Sequence, residues 1–375
     1  MAAVPSRLVL KGVPRVHFYE GGPACPEGIC FPSVMRALME YFGEDLGCRT
    51  CRTLPPGCKV TCAYSFFMGV SGIASFLSWK PGWADDNMEI MYMSDDPGAP
   101  FARAFKAAGY AYEFVGVESD SHDEALLRDR IVESIRKGRP VVAFGPVGPP
   151  EAAIVTGYDE AGDVLIGWSF FQSIPEFNSG LEFEPTGEFR ARGWFEYAPG
   201  FSVAVIGEKR EQPPLSETYR QALEWMLQVA RTPVTFGDRQ NGLAAYTAWA
   251  RHLLRDEDFP DDETVLRERH QVQDAAVGQV AEARWYGSQF LLQASEPDIL
   301  HFRAAEDLMH AAACYAAEHS LMWELWDLAG GNGNPDAFRR FADPAVRRQM
   351  VPVIEQAREE DEKAAAHIER ALARG

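Results

Sequence analysis

Cysteines are the residues of this 375-residue chain that could do covalent or metal chemistry, and two sets of them have telling positions. Cys30 stands directly before a segment whose apolar residues Phe31, Val34, Met35, Leu38, Met39 and Phe42 fall on one face at helical spacing. Pro32 suits the first turn of that helix, where a missing amide hydrogen costs little, and Gly43 suits the left-handed residue that stops it. A thiol at the amino end of a buried helix feels the positive end of the helix dipole, which favours the thiolate. Cys30 is therefore a candidate nucleophile. The competing reading is packing, since cysteine is among the most buried residue types.

The second set is Cys48, Cys51, Cys58 and Cys62, four thiols within fifteen residues in the spacing Cys-x2-Cys, six residues, Cys-x3-Cys. Four thiolates complete the tetrahedral shell of a structural zinc, and the intervening Pro-Pro-Gly supplies a chain reversal. Disulfides or free thiols are the alternatives, because six residues is shorter than the usual zinc-ribbon spacing. Other candidates carry less. Glu306, His310 and Cys314 recur every four residues, but no second Glu-x-x-His segment completes a bundle metal site, so a packed helix is expected. Asp95 and Asp96 read as a solvated turn, and His122 as a surface residue before a helix.

These groups must be positioned by elements that differ between the two parts of the chain. Before residue 209, short β-type runs at 141–144, 152–158, 164–168 and 201–206 are punctuated by glycine and proline. The runs 152–158 and 164–168 flank Asp-Glu-Ala-Gly-Asp, a turn signal that predicts an antiparallel hairpin. The residues 64–79, rich in aromatics, are expected to build core. After residue 216, segments 218–229, 243–254, 263–292, 298–329 and 344–372 show helical periodicity. The charged, proline-rich stretch between them marks a boundary. The expected architecture is an α+β domain over 1–210, with a mainly antiparallel sheet formed after Pro140, and an all-helical domain over 216–375 that adds no strand to it.

The order of elements over residues 15–205 resembles the papain-like superfamily, in which a cysteine opens a central helix and a histidine opens a later antiparallel strand. It looks most like the domain typified by the butirosin-pathway acyltransferase and like double-glycine leader peptidases, whose histidine precedes a hydrophobic run ending Gly-Tyr-Asp. The matching run here is Glu151-Ala-Ala-Ile-Val-Thr-Gly-Tyr-Asp159. The resemblance implies a thiol acyltransferase or amide hydrolase acting on a small-molecule or peptide/acyl substrate. It also implies that Glu151 occupies the histidine position. The family's oxyanion glutamine has no counterpart in residues 20–29, and the third catalytic position falls near Gly167, Trp168 and Ser169, none of them a carboxylate or amide. Two readings stay open: an enzyme in which Glu151 takes the thiol proton, or a silent papain-like binding module. An ionised Glu151 beside Cys30 opposes thiolate formation unless a cation such as Arg36 or a ligand amine neutralises the pair.

Composition excludes several function classes. Lys and Arg number 36 against 55 Asp and Glu, a formal charge of −19 that repels phosphate backbones, so no nucleic-acid partner is expected. No stretch reaches the roughly 18 apolar residues of a membrane span. An odd number of cysteines argues against an all-disulfide framework, and a cytoplasmic protein is expected.

Overall fold

The computed structural model describes residues 5–18, 26–44, 46, 62–116, 123–197, 201–331 and 334–374. Its strands are, in chain order, β1 (Leu8–Val9), β2 (Ser78–Trp79), β3 (Tyr110–Val115), β4 (Val141–Phe144), β5 (Ala152–Asp159), β6 (Val164–Trp168), β7 (Glu182–Phe183), β8 (Phe189–Arg192), β9 (Ser202–Lys209), β10 (Val234–Thr235) and β11 (Arg239–Asn241). The helices are α1 (Cys30–Phe42), α2 (Cys62–Ser71), α3 (Ala99–Ala108), α4 (Glu124–Arg136), α5 (Trp194–Tyr197), α6 (Leu215–Arg231), α7 (Leu243–Leu253), α8 (Glu263–Ala294), α9 (Phe302–Ala329), α10 (Ala337–Ala342) and α11 (Pro344–Arg374). The chain divides into two units: residues 1–64 with 105–212, and residues 65–104 with 213–375. The division is therefore interleaved. A boundary read from one proline-rich stretch cannot register that 65–104 belongs with the later helices. No helix among the described residues is long and apolar enough to cross a membrane.

The first unit is built on an eight-stranded sheet in the order β3-β9-β4-β5-β6-β8-β7, with β1 added to β5. Every pairing in it is antiparallel. The sheet exceeds the expectation that it forms after Pro140, since β1 and β3 precede that residue. β1 is two residues long, too short to show a period, and β3 lies under the aromatic run Tyr-Ala-Tyr-Glu-Phe. The hairpin expected at 152–168 is present, with Tyr158 opposite Leu165 and a bulge between Val155 and Gly157. One apolar cluster joins Leu127, Ile131 and Ile135 of α4 to Val141, Val155, Leu165, Phe189 and Val203 of the sheet. Helix α4 starts where Asp123 accepts the Leu126 N–H at 2.9 Å, an N-cap that satisfies an otherwise orphaned donor.

The second unit is mainly helical but not wholly so. β10 and β11 form a hairpin that pairs with β2, Gln240 opposite Trp79. The expectation of helix alone past residue 216 fails at 233–241, where strands of two and three residues on either side of Gly237 are too short to interrupt a helical period. The aromatic segment at 65–79 builds core here: Trp79 is fully buried and stacks on Trp249 at 5.4 Å. Among α7, α8, α9 and α11 lies a polar network with no solvent exposure. Arg284 donates from Nε to Glu318 at 2.9 Å and from Nη2 to Asp361 and the Tyr246 hydroxyl at 2.9 and 2.8 Å. Its Nη1 reaches the carbonyls of Ala74 and Phe76, and Tyr246 donates to Glu318. One guanidinium faces two carboxyls, so full ionisation would leave a buried negative charge. Burial pushes Glu318 up to about 8, against the pull of Arg284.

Candidate functional site

Helix α1 starts at Cys30 and ends on Gly43 at φ 67°, with Cys30 through Met39 all buried. Ile29, its N-cap, is extended and brings no side-chain cap. The Ile29 N–H instead donates to the Tyr64 hydroxyl at 3.0 Å, which fixes the backbone one residue before the thiol. Pro32 lies within the first turn, where its absent N–H breaks no helical bond. The segment entering the helix is held by a buried ion pair. Glu27, three residues before Cys30, meets Arg36 Nε at 2.7 Å and accepts the Ser33 hydroxyl, while Arg36 also donates to the Arg15 carbonyl at 3.3 Å. Arg36 additionally contacts Glu40 at 3.2 Å. It is thus committed to Glu27 and Glu40, and the expected role of neutralising a Cys30–Glu151 pair does not fall to it.

Glu151 is set at the other side by the β4–β5 hairpin, whose last register pair is Phe144 opposite Ala152. The loop Gly-Pro-Val-Gly-Pro-Pro between them closes by a bond from Gly145 N–H to the Glu151 carbonyl at 3.2 Å. Gly148 in this loop has φ +81°, and a Cβ there would lie 2.7 Å from Phe171, so only glycine lets the loop approach the turn at 170–173. The result is that the Glu151 carboxyl accepts hydrogen bonds from the Cys30 thiol and the Ala152 N–H. Burial pushes its pKa up from the ordinary carboxylate value, and the two hydrogen bonds oppose that rise. Cys30 itself is 4% exposed.

The geometry therefore brings together Cys30 and Glu151. No side chain from the third expected position joins them. Ser169 caps the turn at 170–173 in a reciprocal box with Gln172, whose amide donates onward to the Gly187 carbonyl at 2.9 Å. A half-buried imidazole is present in the first unit: His17 lies between the Phe18 carbonyl at 2.7 Å and the Ser173 hydroxyl at 3.5 Å. A cavity of about 180 Å³ adjoins the Glu151 loop, lined by Pro146, Val147, Phe177, Leu181, Arg190 and Ala191. The charge of Arg190 is already matched by Glu184 at 2.6 Å and Asp159 at 3.1 Å.

Cys48, Cys51 and Cys58 lie outside the described residues, as does His122, and Cys62 is placed only as the first backbone position of α2. Among the described residues no three His, Cys, Asp or Glu side chains are arranged to hold a metal. Of the α9 trio, Cys314 is pushed up to about 11 by burial and Glu360, while His310 stands 5.0 Å from His367 across the helix pair. Glu27 and Tyr64, which hold the approach to Cys30, were missed from sequence. Glu27 had a signal, as an acid three residues ahead of a helix that carries an inward arginine. Tyr64 had none, being 34 residues downstream. Neither a known protein family nor a curated protein matches this chain.

Proposed function

We propose that the first unit is a thiol-dependent acyltransferase or amide hydrolase of papain-like type, with Cys30 as nucleophile and Glu151 as proton acceptor. The supporting observation is the hydrogen bond between the Cys30 thiol and a buried carboxyl whose pKa is raised. An ordinary carboxyl and a thiol differ by about 4 pKa units, so proton transfer between them costs roughly 6 kcal/mol, and raising the acceptor narrows that gap. Glu151 takes the proton from Cys30 Sγ and the thiolate attacks the acyl carbon. The oxyanion forms at the positive end of α1. Collapse expels the leaving group, which receives the proton from Glu151. An acceptor, an amine or water, then gives its proton to Glu151 as it attacks the thioester, and Cys30 leaves as the thiolate, taking that proton back from Glu151 to restore the resting pair. The unit thereby acts on a small-molecule or peptide substrate that carries an acyl group.

The test is release of product from an activated ester and an amino-acyl thioester, compared among wild type, Cys30→Ala and Glu151→Gln. Loss of all turnover in Cys30→Ala and a drop of about a hundredfold or more in Glu151→Gln are expected, the latter being what general base catalysis contributes. A wild type that, like Cys30→Ala, shows no turnover above the uncatalysed rate overturns the proposal. That result favours a papain-like module that binds its ligand without turning it over, a reading supported by the near-complete burial of Cys30.

A further inference from the structure

The tip of the small sheet in the second unit carries apolar side chains on its outside. Phe236 follows β10 and is 39% exposed, Val234 two residues before it is 41% exposed, and Met91 beside Tyr92 is 42% exposed. These segments are tied together: the Thr235 hydroxyl donates to the Tyr92 carbonyl at 2.7 Å, and the Tyr92 and Phe236 rings meet edge to face at 5.4 Å. Phe236 is held at φ +44°, a left-handed conformation that a bulky aromatic rarely adopts and glycine adopts freely. Its N–H is pinned by Asp95 Oδ1 at 3.2 Å. The chain thus maintains a strained, half-exposed aromatic where a smaller residue would fold more easily. The surroundings are acidic. Across residues 84–98 and 233–241 there are six carboxylates against one guanidinium, Arg239, which is 3% exposed, stacked on Tyr92 at 4.0 Å and bound to Asp86 at 2.9 Å.

We infer that this patch docks a cationic segment of another protein that carries an apolar anchor. An apolar centre excludes water and supplies the affinity, while a rim of one sign steers the partner and selects its charge. Arg239 is buried and paired with Asp86, so it offsets that one carboxylate, and the sequence of these segments supplies no second cation for the other five acidic residues. An acidic segment would be repelled by these carboxylates and a neutral one would gain nothing from them, which leaves a basic one as the occupant.

The experiment is selection of peptides from a random displayed library on the full chain, with Phe236→Gly as the counter-selecting protein. A synthetic copy of the best peptide is then titrated calorimetrically. Enriched peptides should place Lys or Arg around an aromatic or large aliphatic residue. Their affinity should fall at least about tenfold on Phe236→Gly, and again as salt is raised from roughly 50 to 500 mM. Because glycine relieves the positive φ, Phe236→Gly should melt no lower than wild type, which separates lost binding from lost folding. Asp238→Lys should also weaken the peptide. No enrichment over the counter-selecting protein, uncharged or acidic binders, or salt-insensitive binding overturns the inference. So does a wild-type dimer in sedimentation that Phe236→Gly dissolves, since the occupant would then be a second copy of this chain.

Discussion

Glu318→Gln should remove a pH dependence of stability that the second unit carries at neutral to mildly alkaline pH. In the fold the Glu318 carboxyl is lifted to about 8, against 4.5 for the ordinary group. Between those values the folded chain holds one proton more than the unfolded chain, so stability falls as pH rises. The contribution is complete below the unfolded pKa, declines through the window and is spent once pH passes the folded pKa. Taken whole, the gap of roughly 3.5 units amounts to at most about 5 kcal/mol. The useful part is the interval from about pH 6.5 to 8.5, where the loss is about 2 kcal/mol. Asp274, lifted by burial to about 6, titrates below that interval, and His270 and His319, lowered by burial, do too. The groups facing Glu318 are Arg284 from α8, Tyr246 from α7, Asp361 from α11 and Tyr315 on its own helix. Glutamine reproduces the protonated shape and keeps an acceptor for Arg284 Nε.

Urea unfolding followed by helical circular dichroism at several pH values reads the effect directly, because the midpoint shift at constant slope is the change in stability. Wild type should lose about 2 kcal/mol across the interval while Glu318→Gln stays nearly flat. Identical pH slopes in the two proteins, or a wild type that gains stability on going alkaline, would refute the argument that the cluster stores a proton. Glu318→Ala should behave differently again, since it strips Arg284 of one buried partner and costs on the order of 3–5 kcal/mol at every pH.

Three further outcomes are expected. For the proposed acyl transfer, kcat/KM should rise with pH through an acid limb placed above the ordinary carboxylate range, because Glu151 must be ionised to accept the thiol proton and burial raises its pKa. The limb should vanish in Glu151→Gln, and a limb at the ordinary carboxylate position would remove burial from the account. Gly72→Ala should destabilise the second unit by about 2–4 kcal/mol, since Gly72 has φ +90° and a Cβ would stand 2.4 Å from the Trp225 indole nitrogen. A loss under about 1 kcal/mol in thermal unfolding would show that Trp225 moves aside. Elemental analysis of purified protein should find about one zinc per chain at Cys48, Cys51, Cys58 and Cys62, with sulfur at about 2.3 Å; two disulfides or four freely titrating thiols would contradict it.

Much of the fold is legible from local signals. Each long helix of the second unit appears in the sequence at nearly its observed bounds, because 3.6-residue periodicity over 11 to 32 residues overwhelms any competing pattern. The hairpin from β5 to β6 is legible from another local signal, β-branched runs either side of a turn. What was not legible depends on partners distant in sequence. β1 exists only because Leu8 and Val9 find Tyr158 and Gly157, and β2 only because Trp79 finds Gln240. The membership of 65–104 in the second unit rests on contacts such as the Ser65 hydroxyl to the Tyr286 carbonyl at 3.0 Å, 221 residues away. The Arg284 network is likewise invisible in sequence, since its members come from four helices and no local pattern joins them.

For the proposed acyl transfer, a carboxyl just before β5, where the papain-like resemblance would put an imidazole, changes the electrostatics of the first chemical step in a definite way. A thiol giving its proton to histidine creates two charges where there were none, and a buried site must compensate both. When Cys30 gives its proton to an ionised Glu151, one negative charge moves from carboxylate to sulfur and the total is unchanged. Desolvation then penalises reactant and product alike, while the positive end of α1 favours the product because the charge has moved to the helix end. Burial also raises the Glu151 pKa, so the same desolvation that makes its ionised form scarcer makes that form a stronger base. The two effects trade population against basicity, which predicts a dyad that works only above the Glu151 pKa. A ligand ammonium near the carboxylate would shift the balance toward ionised Glu151 without drawing on Arg36, which Glu27 and Glu40 already hold.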